Sequence, residues 1–163
     1  MRVRQAAVDE ESIGALRALY TDRTLDVPDL SVYLQAARYS SQIRSLLPQV
    51  KTTDDAMRSV AAIAGSDSIF EDPERIAMPD ETARFATGTS RDKALLLHVL
   101  LERALPADDT ARGSLETLFS ETDSYVRSAK FCISVPQMAY VPEAKGDIRY
   151  RIADTLQDGD ASA

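Results

Sequence analysis

Residues 87–103 have the sequence TGTSRDKALLLHVLLER, the most strongly patterned run in the chain. Thr89 followed three residues later by Asp92 is a capping-box pair, which predicts that a helix begins at or just after Ser90. A helix that is apolar almost all round is buried on all sides, so this run predicts a central helix that ends before Pro106. Its apolar positions are Ala94, Leu95, Leu96, Leu97, Val99, Leu100, Leu101 and Ala104.

The start of this helix resembles the nucleophile segment of the transglutaminase-like superfamily of papain-fold enzymes. In that family a Gly-x-Cys-x-Asp-x-Ala pattern opens the central helix, and Gly88, Asp92 and Ala94 stand at the matching positions. Ser90 stands where the family has its cysteine. The resemblance covers residues 50–155 and implies a papain-like α+β fold.

The replacement of the family's cysteine by Ser90 removes the nucleophile. In the family the cysteine lies at a helix N-terminus, where backbone N–H groups and the helix dipole favour the thiolate. A serine hydroxyl gains almost nothing from this field, because it is far less acidic than a thiol. We therefore predict a catalytically inactive relative.

The resemblance also implies positions for two further catalytic residues. In the family a histidine begins a strand beyond the central helix, and an aspartate lies on the next strand. We expect the first position within Ser128–Lys130 and the second at Pro142 or Glu143, and none of these residues is a histidine or an aspartate. The predicted remnant site, with no catalytic role expected, consists of Ser90, Asp92, Ser128, Lys130 and Glu143.

Two alternatives to an inactive remnant remain for the start of this helix. A Ser90–Lys93 or Ser90–Lys130 pair would act as a Ser-Lys nucleophile, since desolvation favours neutral lysine. The helix N-terminus would otherwise bind an anion or a partner's carboxylate through its N–H groups.

His98 is about 12 Å from Ser90 along the axis at roughly 1.5 Å per residue, so it is not the base of this serine. We expect His98 to pack in or beside the core.

The first half of the chain predicts helices. Residues 9–20 predict a short amphipathic helix, residues 30–47 a helix with a polar interruption at 40–42, and residues 52–64 a helix with a Thr52–Asp55 capping box. Residues 65–80 predict a surface loop, and residues 80–85 one or two helical turns. We divide the chain into an N-terminal helical extension (1–48), a transglutaminase-like core (49–156) and a disordered acidic tail (157–163).

The chain beyond Pro106 changes to short β-rich runs separated by turns. We expect strands within residues 115–122, 124–127, 130–135, 138–141 and 147–152, forming an antiparallel sheet against the central helix in an α+β fold. Alternation along the third run predicts Phe131, Ile133 and Val135 on one face. Cys132 and Ser134 then lie on the other face.

Composition narrows the classes of function. The net charge of −7 and a pI near 4.7, without a cluster of basic residues, argue against nucleic-acid binding. One cysteine and one histidine exclude an intrachain disulfide and argue against a zinc centre, so we predict no metal and no cofactor. The apolar runs are too short for a membrane span, and we expect that the charged N-terminus is not a signal peptide. We predict a cytoplasmic protein, or one assembled from the cytoplasm into a particle.

Two classes of function follow from these residues. The first is a structural or protein-interaction module that binds a protein partner as a homo-oligomer or in a larger assembly, such as a virus or phage particle. The second is a hydrolase or acyltransferase that uses Ser90, or a remnant cleft that binds a small ligand. A titratable group within about 3.2 Å of the Ser90 hydroxyl in an open groove would favour the second class.

Overall fold

The helices surround one long central helix. A computed structural model of the protein describes residues 10–27 and 29–153. Its α-helices are α1 (Glu10–Arg17), α2 (Val32–Ala37), α3 (Ser41–Leu46), α4 (Thr53–Ala61), α5 (Pro79–Phe85), α6 (Ser90–Ala104) and α7 (Thr110–Gly113). A π-helical turn, Ala18–Asp22, follows α1, and a 3-10 turn, Leu47–Gln49, follows α3. The predicted tail, residues 157–163, lies outside the described residues.

The second half of the chain forms an antiparallel sheet in the order β4-β3-β2-β1-β5. Its strands are β1 (Glu116–Phe119), β2 (Ser124–Arg127), β3 (Cys132–Ser134), β4 (Ala139–Tyr140) and β5 (Tyr150–Ile152). Each strand lies within a predicted run, so the α+β class is confirmed. The β1–β2 hairpin pairs Glu116 with Arg127 and Phe119 with Ser124.

The two faces of the sheet have different environments. Val126, Ile133 and Ile152 belong to the main core beside the central helix. On the opposite face, Leu118, Tyr125 and Cys132 form a smaller buried cluster that Val141 and Ala144 cover. The predicted alternation is therefore confirmed, with Ile133 and Val135 in the main core and Cys132 on the other side.

Helix α6 is buried along most of its length, as its apolar pattern predicts. Every residue from Ala94 to Glu102 is buried. Its Thr89–Asp92 capping box is present, and the helix ends at Ala104, before Pro106. Pro106 stops the helix because proline cannot donate the next backbone hydrogen bond.

The described part of the predicted extension (residues 1–48), which is residues 10–27 and 29–48, shares the core of the rest of the described chain. Tyr33, Leu34 and Ile43 are fully buried in the same cluster as α6 and the inner face of the sheet. The predicted boundary at residue 48 therefore does not separate two cores. Helices α2 and α3 pack into a single core with the residues that follow them.

Three details of the helical half differ from the predictions. The predicted helix at 30–47 is two helices, since Ser40 leaves the helical conformation and its hydroxyl caps α3 by accepting from the Ile43 N–H. Helix α4 ends at Ala61 rather than at residue 64. Helix α7 was not predicted, although Asp109 caps it by accepting from the Ala111 N–H.

No helix within residues 10–27 and 29–153 is both long and apolar enough to cross a membrane.

Candidate functional site

The N-terminus of α6 is built around the carboxylate of Asp92. Asp92 Oδ2 accepts from the Thr89 N–H at 3.0 Å, and Oδ1 accepts from the Ala77 N–H at 2.9 Å. The side chain thus caps its own helix and fastens the preceding loop to it. A Cβ at Gly88 would lie 3.0 Å from the Cβ of Asp92, so glycine permits this close approach.

Asp92 is fully buried within this arrangement. Burial raises the pKa of its carboxyl, while the hydrogen bonds from Ala77 and Thr89 act in the opposite direction. The two carboxylate oxygens already serve backbone donors, so the geometry assigns Asp92 to capping.

Ser90, the first residue of α6, faces another hydroxyl. Its Oγ lies 3.1 Å from the Oγ of Ser124, the first residue of β2, and the two share a hydrogen bond. Ser124 is buried, whereas Ser90 is half-buried. A neutral hydroxyl is no general base, so this contact leaves the Ser90 hydroxyl without activation.

The two lysines proposed as partners of Ser90 are engaged elsewhere. Lys93 Nζ donates to the Ile63 carbonyl at 3.3 Å, beyond the end of α4. Lys130 Nζ forms an ion pair with Asp109 Oδ1 at 2.8 Å. The Ser-Lys alternative is therefore not formed in this structure.

Ser128, Lys130 and Glu143 lie away from Ser90. Ser128 stands in the turn between β2 and β3, where its hydroxyl accepts from the Lys130 N–H at 3.1 Å. Four residues of strand, at roughly 3.3 Å each, place Ser128 about 13 Å from Ser124. The three residues line a separate groove of about 630 Å³. The five residues of the predicted remnant site thus form two groups at opposite ends of the sheet.

Ser124 is the neighbour of Ser90 that the sequence interpretation missed. The sequence predicts a strand at residues 124–127, and the resemblance implies the histidine position on the strand after it. No local sequence signal identifies Ser124, because its contact with Ser90 depends on how β2 packs against the start of α6.

A second polar cluster is buried farther along α6. Glu102 accepts from Arg38 Nε at 3.0 Å and from Arg38 Nη2 at 2.6 Å. His98 Nε2 lies 3.3 Å from Glu102 Oε1, and His98 Nδ1 lies 2.8 Å from Thr117 Oγ1. Burial alone would raise the pKa of Glu102, but the hydrogen bonds and charges of His98 and Arg38 outweigh it and hold this pKa below its ordinary value.

This buried cluster joins three elements: Arg38 directly after α2, His98 and Glu102 on α6, and Thr117 on β1. His98 and Thr117 have no exposed surface, and Glu102 and Arg38 are also buried. A histidine between a hydroxyl and a carboxylate resembles a catalytic arrangement, but no substrate reaches it here. The cluster therefore acts in packing, and His98 lies in the core as expected.

Metal chemistry has no visible site in the described part of the chain. Within it, no group of three or more His, Cys, Asp or Glu side chains is placed to hold a metal ion. Cys132 is buried on the outer face of the sheet, and burial raises the pKa of its thiol.

Comparisons with known proteins add no further constraint. The chain matches no family model, no curated protein and no solved structure. Function is therefore inferred from the geometry of the described residues.

Proposed function

We propose that the protein is a catalytically silent, transglutaminase-like scaffold that acts as a structural or protein-interaction module. The observation that carries this proposal is the hydrogen bond between the hydroxyls of Ser90 and Ser124. A serine nucleophile needs a neighbouring base or cation for activation, whereas the neighbour of Ser90 is the neutral hydroxyl of Ser124.

The scaffold part of the proposal is supported by the placement of α6 against β2. The resemblance implies that the start of the central helix meets the start of a strand beyond it. Ser90 is the first residue of α6 and Ser124 is the first residue of β2, one strand before the strand that the resemblance indicated. Two serines at such a junction keep the packing of the site without its chemistry.

The interaction part is supported by an apolar stripe on α1 and the turn after it. Ile13, Leu16 and Tyr20 are 46%, 51% and 78% exposed. Their spacing places them near one face of a helix, and an exposed apolar patch marks a surface that binds another protein. Three of the four apolar positions of the predicted amphipathic helix are thus exposed, whereas Leu19 packs against the core.

The test is recovery of the protein from its native source, sized by sedimentation, with its companions identified by mass spectrometry. We expect a complex of fixed stoichiometry. Ser90→Ala should leave this complex intact, whereas the double variant with Leu16→Asp and Tyr20→Asp should dissociate from it. Phe85→Asp is the matched control, since Phe85 is also exposed, at 54%, on another helix. A free monomer that hydrolyses acyl esters only while Ser90 is present would overturn the proposal in favour of the serine enzyme.

A further inference from the structure

The outer face of the sheet carries two arginines that share one buried carboxylate. Glu116 on β1 is 7% exposed. Its Oε1 accepts from Arg127 Nε on β2, and its Oε2 accepts from Arg151 Nε on β5, both at 2.5 Å. One carboxylate thus holds two guanidinium groups, and the cluster carries one surplus positive charge.

Both guanidinium groups also face solvent. The side chains of Arg127 and Arg151 are 40% and 63% exposed. Each keeps N–H groups that Glu116 does not use, because Arg127 reaches it through Nε and Nη2 and Arg151 through Nε. The planar guanidinium fork matches a carboxylate or a phosphate in shape, and here Glu116 positions two forks side by side.

These arginines line a groove of about 410 Å³. Much of its remaining lining is small: Gly113, Ser114, Ser128, Ala129 and Ala153. A cavity of this size is far larger than one bare oxyanion requires, so it fits an oxyanion carried on a larger group. The small residues leave the space beside the guanidinium groups open to that group.

The charge around the groove differs from that of the whole chain. Among the residues that line the groove, Arg127 and Arg151 are basic and Glu116 is the one acidic residue. The full chain, in contrast, has a net charge of −7. A locally basic surface on an acidic protein attracts an acidic partner.

We propose that this groove binds an acidic peptide segment of a partner protein, with one carboxylate bridging Arg127 and Arg151. This inference rests on the proposed function and names the chemistry of the partner. The incoming carboxylate occupies the solvent side of the two guanidinium groups, opposite Glu116. It neutralises the surplus charge of the cluster.

The experiment is fluorescence anisotropy of the full chain with fluorescein-labelled hexaglutamate, and labelled hexaglutamine as the uncharged probe. We expect the protein to bind hexaglutamate but not hexaglutamine, and we expect the affinity for hexaglutamate to fall as salt is added. Arg127→Gln and Arg151→Gln should each weaken binding about tenfold, the loss of one charge-assisted contact. Arg151→Lys keeps the positive charge but not the planar guanidinium group. Its affinity for hexaglutamate should fall less than that of Arg151→Gln, which would show that the loss in Arg151→Gln comes from recognition and not from misfolding.

Arg58→Gln and Arg84→Gln are the matched controls. They remove the same charge from exposed arginines on α4 and α5, whose side chains are 75% and 54% exposed. Losses equal to those of the groove variants would overturn the proposal, since binding would then follow net charge alone. Inorganic phosphate that binds more tightly than the peptide would overturn it in favour of a small phosphate ligand.

Three further outcomes separate the hypotheses. One variant lacks residues 154–163. If it binds the peptide about tenfold more tightly than the full chain, the proposal is overturned, and the chain's own acidic end is the occupant of the groove. A native complex that survives both groove variants would overturn the groove inference alone. A free monomer in the native extract would overturn the proposed function whatever the peptide does.

Discussion

At the scale of single residues, Glu102 makes the most consequential polar contacts in the core. It joins Arg38 and His98 where both are buried. Charges in such a place are stable only while they remain paired, because each has lost its hydration. A change at one partner therefore leaves another charge buried without compensation.

We predict that Glu102→Gln lowers the free energy of unfolding by about 3–5 kcal/mol at neutral pH. The folded-state pKa of Glu102 is lowered from its ordinary 4.5, so its ionised form stabilises the protein above that pH. This contribution is lost as pH falls through the folded-state pKa, and the difference between the two proteins should shrink below about pH 4.5. Urea denaturation across pH measures it.

Glu121→Gln is the control for this prediction, because the Glu121 side chain is 74% exposed. It should change the free energy of unfolding by less than about 0.5 kcal/mol. A loss for Glu102→Gln that stays constant down to strongly acidic pH would contradict the assigned role of its charge.

Ser90 allows a second test at this scale. In Ser90→Cys the new thiol lies in the first turn of α6, where the helix dipole favours thiolate, so its pKa should lie below that of an ordinary exposed cysteine. The pH dependence of alkylation by iodoacetamide measures this pKa. Ser45→Cys, near the C-terminal end of α3, is the comparison. Equal thiol pKa values would contradict a field at the start of α6.

At the scale of elements, the two capping boxes share one chemistry in different surroundings. The Thr52–Asp55 box opens α4 where Asp55 contacts solvent, and the Thr89–Asp92 box opens α6 inside the protein. Asp92 also accepts a hydrogen bond from the Ala77 N–H, which lies outside α6 in the segment before α5. The same motif therefore has a larger structural effect at α6.

We predict that Asp92→Ala lowers the free energy of unfolding by about 2–4 kcal/mol, because it removes a cap and leaves the buried Ala77 N–H unpaired. Asp55→Ala should have a smaller effect, since water replaces its hydrogen bonds. Urea denaturation of both variants provides the comparison. Equal losses would mean that the contact with Ala77 contributes nothing.

At the scale of the whole molecule, the described residues share one main core that includes α2 and α3. Tyr33, Leu34 and Ile43 are fully buried, and Arg38 pairs with Glu102 on α6. We predict that residues 49–163 alone do not unfold cooperatively, because their central helix would expose its covered side and leave Glu102 without Arg38.

Circular dichroism during urea denaturation measures this, with the full chain as the reference. A sharp transition for residues 49–163 would show that they fold independently. The predicted boundary at residue 48 would then also separate two folding units.

The sequence by itself determined the features that depend on neighbours along the chain. The start and end of α6, both capping boxes, the β2 strand and the two faces of β3 follow from side-chain period, capping pairs and proline. Such signals act over a few residues, so they are visible without a fold. The α+β class follows from the order of these elements.

Only the tertiary structure decided which distant residues meet. The Ser90–Ser124 contact, the Arg38–Glu102–His98 cluster and the two arginines on Glu116 depend on strand order and on how loops return the chain. The exposure of the apolar stripe on α1 likewise depends on what packs beside it. Periodicity identifies an apolar face but not the surface that covers it, because burial is a property of the assembled core.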